Sequence, residues 1–531
     1  MILLYSPVLI AILIMLPRLL SPQFGLLDDG KSIITAQDIA KGDWNFHFDT
    51  TDARFRPLYW LSFSFLYNVV GEQPVWFFLL NTLVLSLTVF ALIAFLRKLG
   101  TPPLQAWLAG LLFVVSGAVI ENFYTLSKGE WLQVFFIAIS LFAITGYSPA
   151  SAQRRRVLAV ISVSLLLFLA MISKETSVVM LPVSVVWAIL GWLWVKRSES
   201  TASAWRIPYL VASATAVGSY FLFRFGFISS AVSTSGYTER YLLTLAQLVS
   251  SGIRWAGWLV RDYSSLAIVM LLAIILLVSR RGFTQMQLAL DMLVWMAVWI
   301  MVYLPWNFMT GYYMLPFAFG AAVFAGLVLG ERSVWRSRLT QVLGGLAIIL
   351  LMISVLNAFT SARIQLTIDS VNAQMMEELS SLPPQSMVLI NIQSRNEYTD
   401  QIQMQLDARF GRDDLTIKLF DPEDGSSMAC RPEHCFIVTP VVKNQPLMTV
   451  RMGVHEPTQA NWAESLRAFM KVHSGWQELE AFQGSARMMM VDLPRLFCAV
   501  ITTRSFCATP SPMIDERPFQ FGWVIYKLGL P

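Results

Sequence analysis

The sequence predicts an α-helical multi-pass membrane protein of about eleven transmembrane helices followed by a C-terminal soluble α/β domain. Three observations carry this expectation. The 531 residues are 56% hydrophobic and only 14% charged, with a mean hydropathy of +0.57, too apolar for a soluble chain and too long for a single anchor. Apolar stretches of the roughly 17 to 25 residues that a helix needs to cross a hydrocarbon core recur until about residue 357. Beyond residue 362 short strand-like runs alternate with amphipathic segments.

The first span is read at residues 4–20. It is uniformly apolar and has neither a basic N-terminal stretch nor a small-residue cleavage site, so it is expected to remain in the mature protein. Further spans are read at 74–96, 104–121, 130–147, 157–172, 176–195, 206–223, 264–279, 287–304, 314–330 and 339–357. RPLYWLSFSFLYNVV, at residues 56–70, is expected to add an interfacial or re-entrant helix. The divisions are a transmembrane domain over 1–362 and an extracytoplasmic domain over 363–531.

Basic residues in alternate short loops orient the spans. Arg97 and Lys98, then Arg154, Arg155 and Arg156, then Lys196, Arg197 and Arg206, then Arg280 and Arg281, then Arg332, Arg336 and Arg338 mark the cytoplasmic side. Arg18, at the outer end of the first span, is the one local exception. With an odd number of spans, the first outer loop (21–57) and everything after residue 360 face outward, and a bacterial inner membrane with a periplasmic tail is the expected location. The formal charge of +5 belongs to these scattered loop cations, not to a basic surface interleaved with aromatics, which excludes a nucleic-acid partner.

All four cysteines, Cys430, Cys435, Cys498 and Cys507, lie in the tail. Their spacing suits disulfides in an oxidising compartment; zinc at Cys430, His434 and Cys435 is the rival reading. In the same tail SARIQLTIDSVNAQMMEEL, DQIQMQLDARFG and NWAESLRAFMKVH read as helices, and SMVLINI, TIKLF, CFIVTPVV and ARMMMVDL as strands. No Gly-rich phosphate loop is present, so the tail is expected to pack and to face the acceptor, with no nucleotide chemistry.

The first outer loop holds six aspartates, His47, Trp44, Trp60 and the basic RFRP stretch. Asp38, Asp43, Asp49 and Asp52 read as solvated. Asp28 and Asp29 do not: adjacent carboxylates a few residues past a span repel each other beside low dielectric, and both effects raise a pKa. A proton, a cation or a substrate is expected to meet them. At the same membrane face stand Glu121, Lys128 and Glu130 in ENFYTLSKGEW, Lys174 and Glu175 in the SKET turn, and Arg224, Arg240, Arg254 and Arg261 around the loop after the seventh span. Ionisable residues at helix ends are costly unless they pair or act. Tyr312 and Tyr313 in GYYMLP add an aromatic pair that an interfacial belt would also explain.

Taken in order, the acidic pair, RFRPLYWL, the stretch from Glu121 to Glu130, the SKET turn and the tyrosine pair before MLP resemble the GT-C glycosyltransferases over residues 1–357. Protein O-mannosyltransferases, lipid A aminoarabinose transferases and tetratricopeptide-linked mannosyltransferases belong to that superfamily. The resemblance implies a polyprenyl-phosphate-linked sugar as donor, transfer at the outer or lumenal face and inversion at the anomeric centre. It places the acid at Asp28 or Asp29 and the phosphate-binding cations among Arg56, Lys128, Lys174 and Arg224. The tetratricopeptide repeats of one branch are absent.

The chemistry can also be read from the residues. A sugar on a lipid phosphate already carries its leaving group, so one base and several cations suffice. Asp29 is expected as general base with Asp28 as partner, binding an acceptor hydroxyl or a divalent cation such as magnesium or manganese. Arg56, Lys128, Lys174 and Arg224 gather the phosphate, Glu121 and Glu175 hold those cations, and His47 is a further candidate ligand. The unit moved is a hexosyl or pentosyl group, the acceptor an envelope glycan, lipid or protein hydroxyl, and membrane lipids surround the site. A transporter or flippase for a lipid-linked sugar, or a polysaccharide polymerase or ligase, is the alternative; a transporter would favour internal repeats and polar groups near mid-membrane, and no repeat is visible.

Overall fold

The structure is a computed structural model that describes residues 2–26, 28–44, 54–147, 152–195, 204–227, 241, 243–278, 285–306, 311–392, 396–420, 431–443, 466, 469–471, 476–486, 490–491, 514–515 and 518–528. Helices α1 (Ser6–Leu20), α2 (Asp29–Ala40), α3 (Pro57–Val70), α4 (Pro74–Lys98), α5 (Pro103–Val114), α6 (Gly117–Phe123), α7 (Glu130–Ile144), α8 (Gln153–Ser173) and α9 (Met180–Val195) come first. They are followed by α10 (Arg206–Phe227), α11 (Leu245–Val278), α12 (Met286–Tyr303), α13 (Leu315–Leu329), α14 (Arg338–Ser381) and α15 (Asn396–Phe410). Proline opens α3, α4 and α5, where its missing N–H would be unsatisfied anyway. Ser116 caps α6 by accepting from the Val119 N–H, after a break that bends α5 against α6 by 53°.

All eleven predicted spans fall on helical segments. By length and apolarity, seven helices among the described residues can cross a membrane, or eight if the bent α5–α6 pair is one span. The expected count of eleven is larger because it also takes in Glu130–Ile144 and Tyr263–Val278, which are apolar but short, and Arg206–Phe227, which is not among those helices. Helix α13 runs through the centre of the bundle, buried at every residue. Its glycines admit its neighbours: a Cβ on Gly326 would come within 2.5 Å of the Ala109 backbone nitrogen in α5, the close approach that small residues allow in membranes. At the N-terminus of α10, Arg206, predicted in a loop, is buried and paired with Asp291 of α12.

Helix α14 is 44 residues long, about 66 Å at 1.5 Å per residue, roughly twice a hydrocarbon core. Its first half exposes Leu339, Val342, Ile349 and Met352. Its second half buries Ile364, Ile368, Val371, Met375 and Leu379 under the C-terminal sheet. SARIQLTIDSVNAQMMEEL is therefore a continuation of the last span, and the boundary drawn at 362/363 falls inside one helix.

The sheet has strands β1 (Met387–Ile390), β2 (Thr416–Leu419), β3 (Cys435–Lys443), β4 (Trp476–Ala486) and β7 (Phe519–Leu528), in the order β2-β1-β3-β7-β4. β1 pairs in parallel with β2 and β3, while β7 runs antiparallel to β3 and β4. The first three match SMVLINI, TIKLF and CFIVTPVV. ARMMMVDL is not one strand: its alanine ends β4, and Met490–Val491 (β5) pairs with Ile514–Asp515 (β6). Helix α15 matches DQIQMQLDARFG and ends at Gly411, whose φ of 62° suits glycine. Of NWAESLRAFMKVH, Leu466 and residues 469–471 are described, as helix. Cys435 is buried and disulfide-bonded; Cys430, Cys498 and Cys507 lie outside the described residues.

Candidate active site

The acidic pair opens α2, and its two side chains part. Asp28 sits at φ 67°, a left-handed conformation that aspartate tolerates better than most residues. Its Oδ1 lies 3.7 Å from Lys31 Nζ and its Oδ2 3.5 Å from Lys128 Nζ, with its side chain 30% exposed. Asp29, the first residue of the helix, turns inward, is 2% exposed and accepts the Gly25 N–H at 2.6 Å. Burial pushes its carboxyl up to about 7; the Gly25 bond opposes this, Asp369 adds to it, and Lys128 and Arg18 oppose it. The second carboxylate beside Asp29 thus comes from α14, outside the loop.

Beneath the loop Arg18 of α1 meets Asp369 at 2.8 Å, both side chains almost wholly buried. Arg18 also donates to the Gln23 carbonyl at 2.9 Å and lies 4.2 Å over the Phe78 ring. This pairing accounts for a cation that did not fit the loop-charge pattern: Arg18 is a packing residue between α1 and α14.

The predicted cations occupy three places. Lys128 stands beside Asp28 and over the Tyr312 ring, at 4.6 Å. Tyr312 and Tyr313 have ring centroids 4.3 Å apart, and Lys174 lies 5.2 Å over the Tyr313 ring. Lys174 and Arg224 line one cavity of about 270 Å³ with Glu175, Thr176, Tyr303 and Tyr313, walled by Val178, Val179, Phe221, Val302 and Trp306. Arg56 lies elsewhere, over Tyr59 and Trp60 at 5.5 and 5.8 Å. Tyr59 joins that corner to α2 through Ser32, oxygen to oxygen at 3.1 Å.

Glu130, the first residue of α7 and buried, holds Lys174 at 2.8 Å. Glu175 lines the cavity. Glu121 packs on the tyrosine turn so closely that a Cβ on Gly311 would overlap its carboxylate. Asn122, next to it, donates to the Tyr312 carbonyl at 2.9 Å. The sequence reading missed Glu130 as the lysine's partner, although it quoted the residue, and missed Asp369. An acid so far along a long helix signals a buried pairing only once its partner is known.

His47, Asp49, Asp52 and Arg240 lie outside the described residues, as do the side chains of Arg254 and Arg261. Among the described residues no three histidine, cysteine, aspartate or glutamate side chains gather. Two ammonium groups already face Asp28, a setting that does not fit a resident divalent cation there.

Fold and site together describe a helical membrane protein in which Asp28, Lys128, the tyrosine pair and Lys174 form one run of contacts. No protein-family model matches the chain, and no curated protein matches it. Among solved structures it is similar to ArnT from Cupriavidus metallidurans bound to undecaprenyl phosphate, at 13% identity and a TM-score of 0.46 over 82% of this chain and 92% of that one. It is also similar to the archaeal oligosaccharyltransferase AglB from Archaeoglobus fulgidus in complex with an inhibitory peptide and a dolichol-phosphate, at 10% identity and 0.47 over 98% and 88%.

Proposed function

We propose that this protein is a glycosyltransferase that moves a sugar from a polyprenyl-phosphate carrier to an acceptor hydroxyl at the outer face of the membrane, with inversion. The observation that supports this best is the placement of Lys174 and Arg224 on one apolar-walled cavity, joined through the touching rings of Tyr312 and Tyr313 to Lys128 and Asp28. Two cations over a wall of valine, phenylalanine and tryptophan suit a phosphate attached to a hydrocarbon chain.

In this reading the donor phosphate lies between Lys174 and Arg224. The acceptor hydroxyl gives its proton to Asp28, its oxygen bonds to the anomeric carbon, and the bond from that carbon to the phosphate oxygen breaks to release polyprenyl phosphate. One displacement inverts the centre. The base is Asp28 in place of Asp29, because a base must reach the proton it takes and Asp29 is buried. Asp29 instead fixes the loop through its bond to Gly25.

The protein reconstituted with polyprenyl-phosphate-linked sugars tests this. Release of polyprenyl phosphate by the native protein, lost by about 10² or more in Asp28→Asn, is the expected result. Release unaffected by Asp28→Asn would remove the acid from the mechanism, and consumption of none of the donors would overturn the transferase reading.

A further inference from the structure

The α/β domain reaches the acidic loop through one face of α15. Gln401 Oε1 accepts the Asp28 N–H at 3.0 Å. One turn on, Gln405 Nε2 donates to the Gly25 carbonyl at 2.7 Å and to the Leu26 carbonyl at 3.1 Å. Farther along the same face the Ala408 carbonyl accepts from Gln37 Nε2 at 2.9 Å. The spacing of 401, 405 and 408 keeps the three on one side of a helix. Both glutamines are 1% exposed, and buried amides of this kind are retained where every bond is made. The helices also touch: a Cβ on Gly30 would lie 3.0 Å from Gln405 Cγ and 3.4 Å from Met404 Cβ.

We infer that Gln401 and Gln405 are positioning residues for the transfer, holding Asp28 in its left-handed conformation so that its carboxylate meets Lys128. The inference rests on the glycosyl-transfer reading and deepens it: the C-terminal domain sets the geometry of the reacting acid. A left-handed conformation is strained for a residue with a Cβ, so Asp28 keeps it where something fixes its amide. Gln401 does this directly. Gln405 anchors the two carbonyls just before the acid. The acid is thereby fixed from a domain far along the chain.

The experiment uses the full chain in lipid nanodiscs with two variants. Gln401→Met removes the acceptor at similar length; Gln401→Glu keeps an acceptor oxygen on the same stem. Hydrogen exchange at the Asp28 amide should rise about fivefold or more in Gln401→Met and stay near native in Gln401→Glu. Turnover of a polyprenyl-phosphate-linked sugar should fall about tenfold or more in kcat for Gln401→Met, with KM for that donor within about twofold and recovery in Gln401→Glu. Unchanged exchange at Asp28, or raised exchange with unchanged kcat, overturns the inference. A native protein that turns over no such donor, with raised Asp28 exchange in Gln401→Met, overturns the glycosyl-transfer reading and leaves the structural coupling standing.

Discussion

Asp28 Oδ2 lies 3.5 Å from Lys128 Nζ, and this contact joins the loop between α1 and α2 to the turn between α6 and α7. Lys128 in turn covers the Tyr312 ring, so the loop acid touches the same aromatic pair that borders the cavity of Lys174 and Arg224. The ion pair is half open to solvent, with side chains 30% and 11% exposed. Pairs of that kind contribute about 0 to 1 kcal/mol to stability, so its role is more readily found in orientation than in holding the fold.

Lys128→Met should therefore separate activity from stability. Polyprenyl phosphate release is expected to fall by about 10², while thermal unfolding in detergent shifts by what about 1 kcal/mol or less would give. A large loss of stability with activity per folded molecule retained would make Lys128 structural.

Asp29 should make stability depend on pH in a direction opposite to that of an ordinary salt-bridged carboxylate. Its value is raised from 3.8 to about 7 in the folded chain, first by burial. Between those values the folded protein keeps a proton that the unfolded chain has lost, so unfolding releases it, and stability falls as pH rises from about 4 to about 7 at no more than about 1.4 kcal/mol per pH unit. Below and above that window the contribution is flat. Asp29→Asn should remove the slope when thermal midpoints are compared from pH 4.5 to pH 8, and an unchanged slope would assign it to another group.

The apolar helices and the acidic pair at the start of α2 were legible because apolar length and adjacent charge are local properties. The pairings were not. Nothing near Arg18 in sequence points to Asp369, and Gln401 and Gln405 lie in a helix whose polar residues read as solvent-facing until α2 is packed on it. Strand β4 was invisible for a different reason: most of its residues are exposed, so WQELEAFQGSA lacks the alternation of a half-buried strand. β7 buries Phe519, Phe521, Trp523 and Ile525, and its alternating FQFGWVIYKL carried a strand signal that was missed. The joining of the last span to the tail helix was hidden because the apolar stripe changes partner, from lipid to sheet, without any helix-breaking residue.

Arg18 and Asp369 should behave as one unit. Each is almost fully buried, and removing one partner of such a pair leaves a buried charge, at a cost of about 3 to 5 kcal/mol. Arg18→Met and Asp369→Leu are each expected to unfold at markedly lower denaturant, and the double variant to lie well above the sum of the two losses. Additive losses in that cycle would mean that the two groups do not interact across α1 and α14.

The cavity lined by Lys174 and Arg224 makes the sharpest demand on charge. Lys174→Met or Arg224→Met should each weaken polyprenyl phosphate binding by about tenfold, the loss of one charge-assisted contact, with the uncharged polyprenol unaffected. Glu130 makes a further distinction possible, because its carboxylate already holds Lys174 at 2.8 Å and shares that ammonium with any phosphate. In Glu130→Gln an amide oxygen still faces the Lys174 ammonium, while the competing negative charge is gone. Binding of polyprenyl phosphate should then tighten by about threefold or more, since a like charge within a few ångströms disfavours an arriving anion. The gain should vanish when Lys174→Met is added. Weaker binding in Glu130→Gln would show that the ionised glutamate is needed to aim the lysine, and tightening that survives Lys174→Met would place the phosphate on other cations.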